Sequence, residues 1–339
     1  MDFSFIPLVE ASEPISETKR ISYEIMSPIA FEGELRLKIL VTGVAGFIGS
    51  NLADRLLAAG YHVIGLDNLA YGVPEQIAKN VEFHRLDIRS KEIYDRFEGV
   101  DVVFHLAAKN DLVACQKDPV ETMEINVAGT ANVFEAARRA RVRKVVLATS
   151  SALEEGEARL NGFYAISKIT TERIAVGYQR AFGLPFVSVR YFNVYGPRQD
   201  YRRLNPPVIS AFIIKVLKHE APVLFDGYHN NKRDFIYIDD INDFHLQCIE
   251  DNRLDGKLFR LGSAITYSMD QVWDAVKRVT GTDLEPVIKP RAAEDTPTVT
   301  QADISAASEM GWKPKTSFED GLRSQFKFLQ EEFKAGRIR

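Results

Sequence analysis

The chain has 339 residues, 45% hydrophobic and 27% charged, with a formal net charge of -4, which suits a globular protein of one large domain or two sharing a cleft. Mild acidity gives no ground for nucleic-acid binding, and no apolar run approaches the ~20 residues of a membrane helix, so a cytoplasmic protein without a membrane partner is expected. Cys115 and Cys248 lie 133 positions apart with no clustered His or Cys partners, which argues for buried thiols and against a disulfide or metal site.

Residues 1–35 carry mixed charge and no sustained period, so they are expected to form an N-terminal arm outside the main fold. From Leu37 the pattern becomes regular. Short β-branched runs (LKILVT, HVIGL, VEFHRL, VVFHL, KVVLAT, FVSVR) alternate with helical stretches such as FIGSNLADRLLAAG and ETMEINVAGTANVFEAARRA. Continuous apolar strands separated by amphipathic helices predict an α/β fold, a doubly wound parallel sheet of the Rossmann type covered on both faces. After Arg190 shorter elements and turns predict a smaller C-terminal α/β substrate domain. The expected division is therefore 36–190 and 191–339, with segments of the second interleaved with the first.

The first strand runs into VTGVAGFIGSNLADRL. Gly43, Gly46 and Gly49, with Phe47 and Ile48 between them, fall where a strand turns into a helix. Backbone N–H groups can there approach a pyrophosphate, and the helix N-terminus adds partial positive charge. The spacing is GxxGxxG, a weak signal alone, since such glycines also serve purely structural turns. Strand two ends in LDNL, placing Asp67 eighteen residues after Gly49, followed by Asn68. An acid there binds ribose hydroxyls and repels a 2′-phosphate, which favours NAD over NADP; the alternative is a turn residue.

In GFYAISKITTERIAVGYQRAF, Tyr164 and Lys168 sit one helical turn apart, on one face. The pair follows the strand KVVLATSS, at the sheet edge where ligands bind in open α/β folds. A nearby ammonium and a positive nicotinamide favour the phenolate, so Tyr164 can serve as a base.

Taken together, TGVAGFIGSNL, LDNL, LDIR, FHLAA, NVAGTANV, SSA, YAISK, RYFNVYGPRQ, KRDFIYIDD and ADISAASEMGWKPKTSFEDGL resemble the extended short-chain dehydrogenases/reductases. Within them the chain is similar to the NAD-dependent nucleotide-sugar epimerases and dehydratases, over roughly residues 37–335. The resemblance implies Tyr164 as the base and Lys168 as the group that binds nicotinamide ribose and lowers the phenol's pKa. It implies Ser151 as the hydroxyl bridging substrate and tyrosine, and Asn126 as the support of the lysine. Asp87, Ile88, Leu106, Ala107, Ala108 and Tyr191 are expected along the cofactor. Asn193, Arg233 and Arg291 resemble the groups on a sugar-nucleotide diphosphate, a task that suits the fixed donor fork of arginine. UDP is the nucleotide the family implies, and the helices near Pro119–Arg139 and Phe163–Phe182 resemble those that pair two subunits into a homodimer.

The family's 4,6-dehydratases carry an Asp-Glu pair directly after the serine or threonine, and its sugar-acid decarboxylases a glutamate at the second position. Here those positions are Ala152 and Leu153, which transfer no proton. The resemblance therefore implies a 4-epimerase: transient oxidation at C4, rotation of the keto sugar and hydride return. The alternatives are a dehydratase or other C4-oxidising enzyme using Glu154, Glu155 or Asp111, and a non-catalytic NAD-dependent binding protein. Thr300 matches a position whose size limits the substituent at sugar C2, so an N-acetyl group is expected to fit. Two departures stand out. Relatives have a longer segment between serine and tyrosine than the 13 positions from Ser151 to Tyr164. In AAKNDLVACQKDP, Cys115 and Ala114 replace the usual polar pair; Lys109, Asn110 and Asp111 are the compensating candidates, with Lys109 pointing to a uronic acid if it faces the sugar, and a solvated turn as the alternative.

Overall fold

The computed structural model describes residues 36–154, 162–291 and 298–338; the expected N-terminal arm, and Glu155 with the residues up to Asn161, lie outside them. The apolar runs become parallel strands β1 (Lys38–Thr42), β2 (His62–Asp67), β3 (Glu82–Arg85), β4 (Val102–His105), β5 (Lys144–Ser150) and β6 (Phe186–Tyr191). Seven further strands follow: β7 (Asn193–Tyr195), β8 (Val223–Phe225), β9 (Lys232–Tyr237), β10 (Lys257–Leu261), β11 (Thr266–Ser268), β12 (Val287–Lys289) and β13 (Val299–Thr300).

The main sheet has seven strands in the order β10-β6-β5-β4-β1-β2-β3. Its first six match the expectation, whereas β10, which pairs parallel with β6, has no counterpart among the strands read from sequence. The strand order reverses between β1 and β4, and the crevice at their carboxyl ends is where a doubly wound sheet receives a ligand. Every residue of β4, and four of the five in β1, is buried, as a sheet covered on both faces requires.

Alternate side chains feed two cores, as a strand's period of two dictates. Ile39 and Val41 join Leu52, Leu56, Phe244 and Phe259 on one face; Leu40 joins Val103, Phe134 and Phe186 on the other. A third core gathers Tyr195, Phe212, Trp273 and Leu322, beside a four-stranded sheet in which β9 pairs with β7, β11 and β13.

The helices that frame the crevice are α1 (Phe47–Ala58), α2 (Leu112–Lys117), α3 (Pro119–Met123), α4 (Gly129–Arg139) and α5 (Phe163–Phe182). The stretch Glu121–Ala140 reads in sequence as one helix. In the structure a π segment, Glu124–Ala128, separates α3 from α4, and such segments often mark functional sites. The 20-residue α5 ends at Gly183, whose φ of 68° supplies the left-handed cap.

Candidate active site

The cleft starts at the loop after β1. Gly43 adopts φ +75°, and a Cβ there would stand 2.8 Å from the Ala107 nitrogen; a Cβ on Gly49 would overlap the Gly43 carbonyl oxygen. Only a bare backbone fits. The following α1 has Gly46 as N-cap with no side-chain cap, so its first N–H groups remain open to an anion. Asp67, at the end of β2, accepts from Ala45 N at 3.1 Å and Leu69 N at 2.8 Å, while burial pushes its carboxyl up. Asn68 donates to Asp87 at 2.9 Å, and the Arg89 guanidinium beside Asp87 holds that carboxyl low.

One cleft is lined by Gly43, Gly46, Phe47, Ile48, Gly49, Asp67, Asn68, Asp87, Ile88, Leu106, Ala107, Ala108 and Tyr191, together with Lys109, Tyr164 and Lys168. The residues expected along the cofactor are thus brought together in one continuous wall. A glycine cradle, an open helix N-terminus and a carboxylate at the ribose position fit NAD.

At the other end of the cleft stands the first turn of α5. The Lys168 ammonium lies 6.0 Å from the Tyr164 ring centre and donates to Ala148 O at 3.0 Å. Burial lowers the Lys168 pKa to about 8. Burial also raises the Tyr164 phenol, opposed by a hydrogen bond with Ser150 and by the charge of Arg203. The hydroxyl on Tyr164 is therefore that of Ser150. Ser151 is buried in the 3-10 turn Ser151–Glu154, and neither serine lines this cleft.

Asn126 occupies the π segment and clamps the main chain of Lys109 from both sides. It accepts from Lys109 N at 2.8 Å and donates to Lys109 O at 3.0 Å. It also bonds Ser167 Oγ at 2.9 Å, so it reaches the neighbour of Lys168. Lys109, read in sequence as substrate side chain or solvated turn, is buried at 3% exposure and pairs with Glu121 at 2.5 Å. Burial works against its ammonium, but Glu121 outweighs it and raises the pKa.

The remaining expected substrate groups lie around β9 and beyond. Asn193 donates to Asp234 O at 2.8 Å, Arg233 to Thr298 O at 2.7 Å, and Thr300 pairs in register with Arg233. The Thr300 hydroxyl is buried with no hydrogen-bond partner. Arg291 donates to Asp226 O at 2.8 Å. None of these four lines the dinucleotide cleft.

Sequence reasoning missed Thr149, Asp200 and Arg203, which do line it. The twin arginines after YGPRQD were the available signal. Of the acids weighed for elimination chemistry, the two described ones are engaged elsewhere: Glu154 receives Arg190 at 2.9 Å and Arg260 at 2.5 Å, and Asp111 caps α2 through Ala114 N. Among the described residues no cluster of His, Cys, Asp or Glu could hold a metal, and no helix is long and apolar enough to cross a membrane.

A protein of Methanocaldococcus jannaschii provisionally named UDP-glucose 4-epimerase is 35% identical over 299 residues, covering 84% of this chain and 96% of that one. The UDP-glucose 4-epimerase of Thermotoga maritima, solved with UDP-glucose, superposes with a TM-score of 0.82 at 30% identity, over 88% of this chain and all of that one. The Thermus thermophilus UDP-glucose 4-epimerase, solved with NAD, gives 0.77 at 31% identity, over 87% of this chain and 99% of that one. The sequence model of the NAD dependent epimerase/dehydratase family matches residues 39–262, and to that family the chain belongs.

Proposed function

We propose that this protein is a nucleotide-sugar 4-epimerase that uses NAD, with Tyr164 as the group that moves the C4 hydroxyl proton. The observation that carries the reading is the Tyr164–Lys168 pair set at the far end of the glycine-lined cleft, beside side chains that transfer no second proton. Ala152 and Leu153 are apolar and buried, and Glu154 is bound by two arginines. With no acid-base pair for elimination at Ala152, Leu153 and Glu154, the outcome that fits is return of the keto sugar to an alcohol.

In this account the cradle of Gly43, Gly46 and Gly49 holds the pyrophosphate, and Asp67 holds the adenosine ribose. NAD, when bound, supplies a reversible hydride acceptor at C4. Tyr164 withdraws the C4 hydroxyl proton and restores it to the epimer. Ser150 and Arg203 favour its phenolate, each lowering a pKa that burial raises. Asn193, Arg233, Arg291 and Thr300 belong, in this reading, to the part of the site contributed by residues 191–339 that holds a UDP-linked sugar. Exposed Leu112, Val113, Val120 and Ile166 on α2, α3 and α5 suit pairing into a homodimer, and a cytoplasmic setting suits two free, buried cysteines.

The test is incubation of the NAD-loaded protein with UDP-glucose, UDP-N-acetylglucosamine and UDP-glucuronate separately, followed by proton NMR. A C4 epimer is expected from at least one. A 4-keto-6-deoxy product would contradict the reading.

A further inference from the structure

The catalytic end of the cleft carries three cations, Lys109, Lys168 and Arg203, against one lining acid, Asp200. Lys168 is committed to Ala148 O and the tyrosine. The other two have donors to spare. Arg203 uses Nη2 for both its side-chain contacts, Asp200 at 2.9 Å and the Asn110 side-chain oxygen, so Nε and Nη1 bond no described residue. Lys109 gives one of its three N–H groups to Glu121, and its main chain is fixed by Asn126 on both N and O. Glu121 already meets the buried Lys109 ammonium, and a cleft guanidinium with unused N–H groups is best satisfied by an anion. A neutral hexose gives these groups only hydroxyls.

We propose that the site selects a nucleotide sugar whose C5 bears a carboxylate, a hexuronic acid, with Arg203 as the principal carboxylate-binding residue and Lys109 as its second cation. The inference rests on the reading above in one respect: Tyr164 engages the C4 hydroxyl. The rest is connectivity. In a hexuronic acid the carboxyl carbon is two bonds from C4, so a hexose with its C4 oxygen at Tyr164 holds that carboxylate in the immediate surroundings of the phenol. Arg203 and Tyr164 line the same cleft, which places the guanidinium within reach of a sugar bound there. A guanidinium fork with free N–H groups matches two carboxylate oxygens in a way that a hydroxymethyl group cannot exploit.

The experiment compares UDP-glucuronate with UDP-glucose on the NAD-loaded protein, by calorimetric binding and by turnover, for the wild type and for Arg203→Gln. The wild type is expected to favour UDP-glucuronate, and Arg203→Gln to cut the glucuronate-to-glucose ratio of affinities and of kcat/KM about 10- to 100-fold, the value of one charged hydrogen-bonded contact. Arg203→Lys keeps the charge but loses the fork; it is expected to fall between the two, and it serves as the readout if Arg203→Gln does not fold. The proposal is overturned if the wild type binds UDP-glucose as tightly as UDP-glucuronate, or if Arg203→Gln weakens both equally. Conversion of UDP-glucose without glucuronate preference would sink the substrate class and leave the epimerase reading standing. Glucuronate preference in binding, with no C4 epimer from either sugar, would support the substrate class and sink the epimerase reading.

Discussion

Replacing Lys168 by Met should stabilise the cofactor-free protein at neutral pH while abolishing turnover. The ammonium is buried and its pKa falls from 10.5 to about 8. At about 1.4 kcal/mol per pH unit that drop corresponds to about 3 kcal/mol of unfavourable charge burial. Losing the hydrogen bond to Ala148 O offsets about 1 kcal/mol. Methionine retains the aliphatic stem, so the net gain at pH 7 is about 2 kcal/mol. The pH dependence has a definite sign. Between pH 8 and 10.5 the unfolded chain holds the proton that the folded protein has already released, so wild-type stability rises with pH across that window. The advantage of Lys168→Met should therefore shrink above pH 8, vanish at about pH 9.5 and be reversed at pH 10.5. Urea unfolding of both proteins, stripped of NAD, at pH 7, 9 and 10.5 would check this. A variant less stable than wild type at pH 7, or a difference that does not change with pH, would refute the account of Lys168 as a strained, buried cation.

Two further outcomes follow from the cofactor wall and the serine pair. Asp67→Ala removes the carboxylate that faces the ribose position; the ratio of NAD to NADP affinity should fall roughly 10- to 100-fold, read by fluorescence titration with each nucleotide. Ser150→Ala removes a hydrogen bond that favours the phenolate, so the rising limb of the pH–rate profile should move to higher pH. Ser151→Ala should leave that limb in place; the opposite result would transfer the bridging role to Ser151.

Much of the fold was legible because β1, β2, β4, β5 and β6 are built on apolar runs and α1 and α5 carry a helical period. Strand β10 was not, since KLFRL alternates charge with apolar residues and only its pairing with β6 makes it part of the main sheet. The break between α3 and α4 was equally hidden: nothing in Glu124–Ala128 marks a break in the sequence, and the π segment holds Asn126, which reaches across to Lys109. The nucleotide half of the site could be read directly, because a glycine turn and an acid at the end of β2 are local features of one βαβ unit. Arg203 could not. Its place opposite Tyr164 depends on a turn that brings residue 203 back to Asn110, a contact 93 positions apart in the chain. Ser150 ends β5 and Ser151 opens the 3-10 turn that follows, a distinction of one residue that needs coordinates.

The central claim is reversible oxidation at C4 without elimination, and it is tested most directly by running the reaction in deuterated water and following the sugar protons by NMR. Withdrawal and return of one hydride predicts a C4 epimer whose C4 and C5 positions keep their protons, since only the hydroxyl proton passes through Tyr164. Deuterium at C5, or a product that has lost water or its carboxyl group, would contradict it.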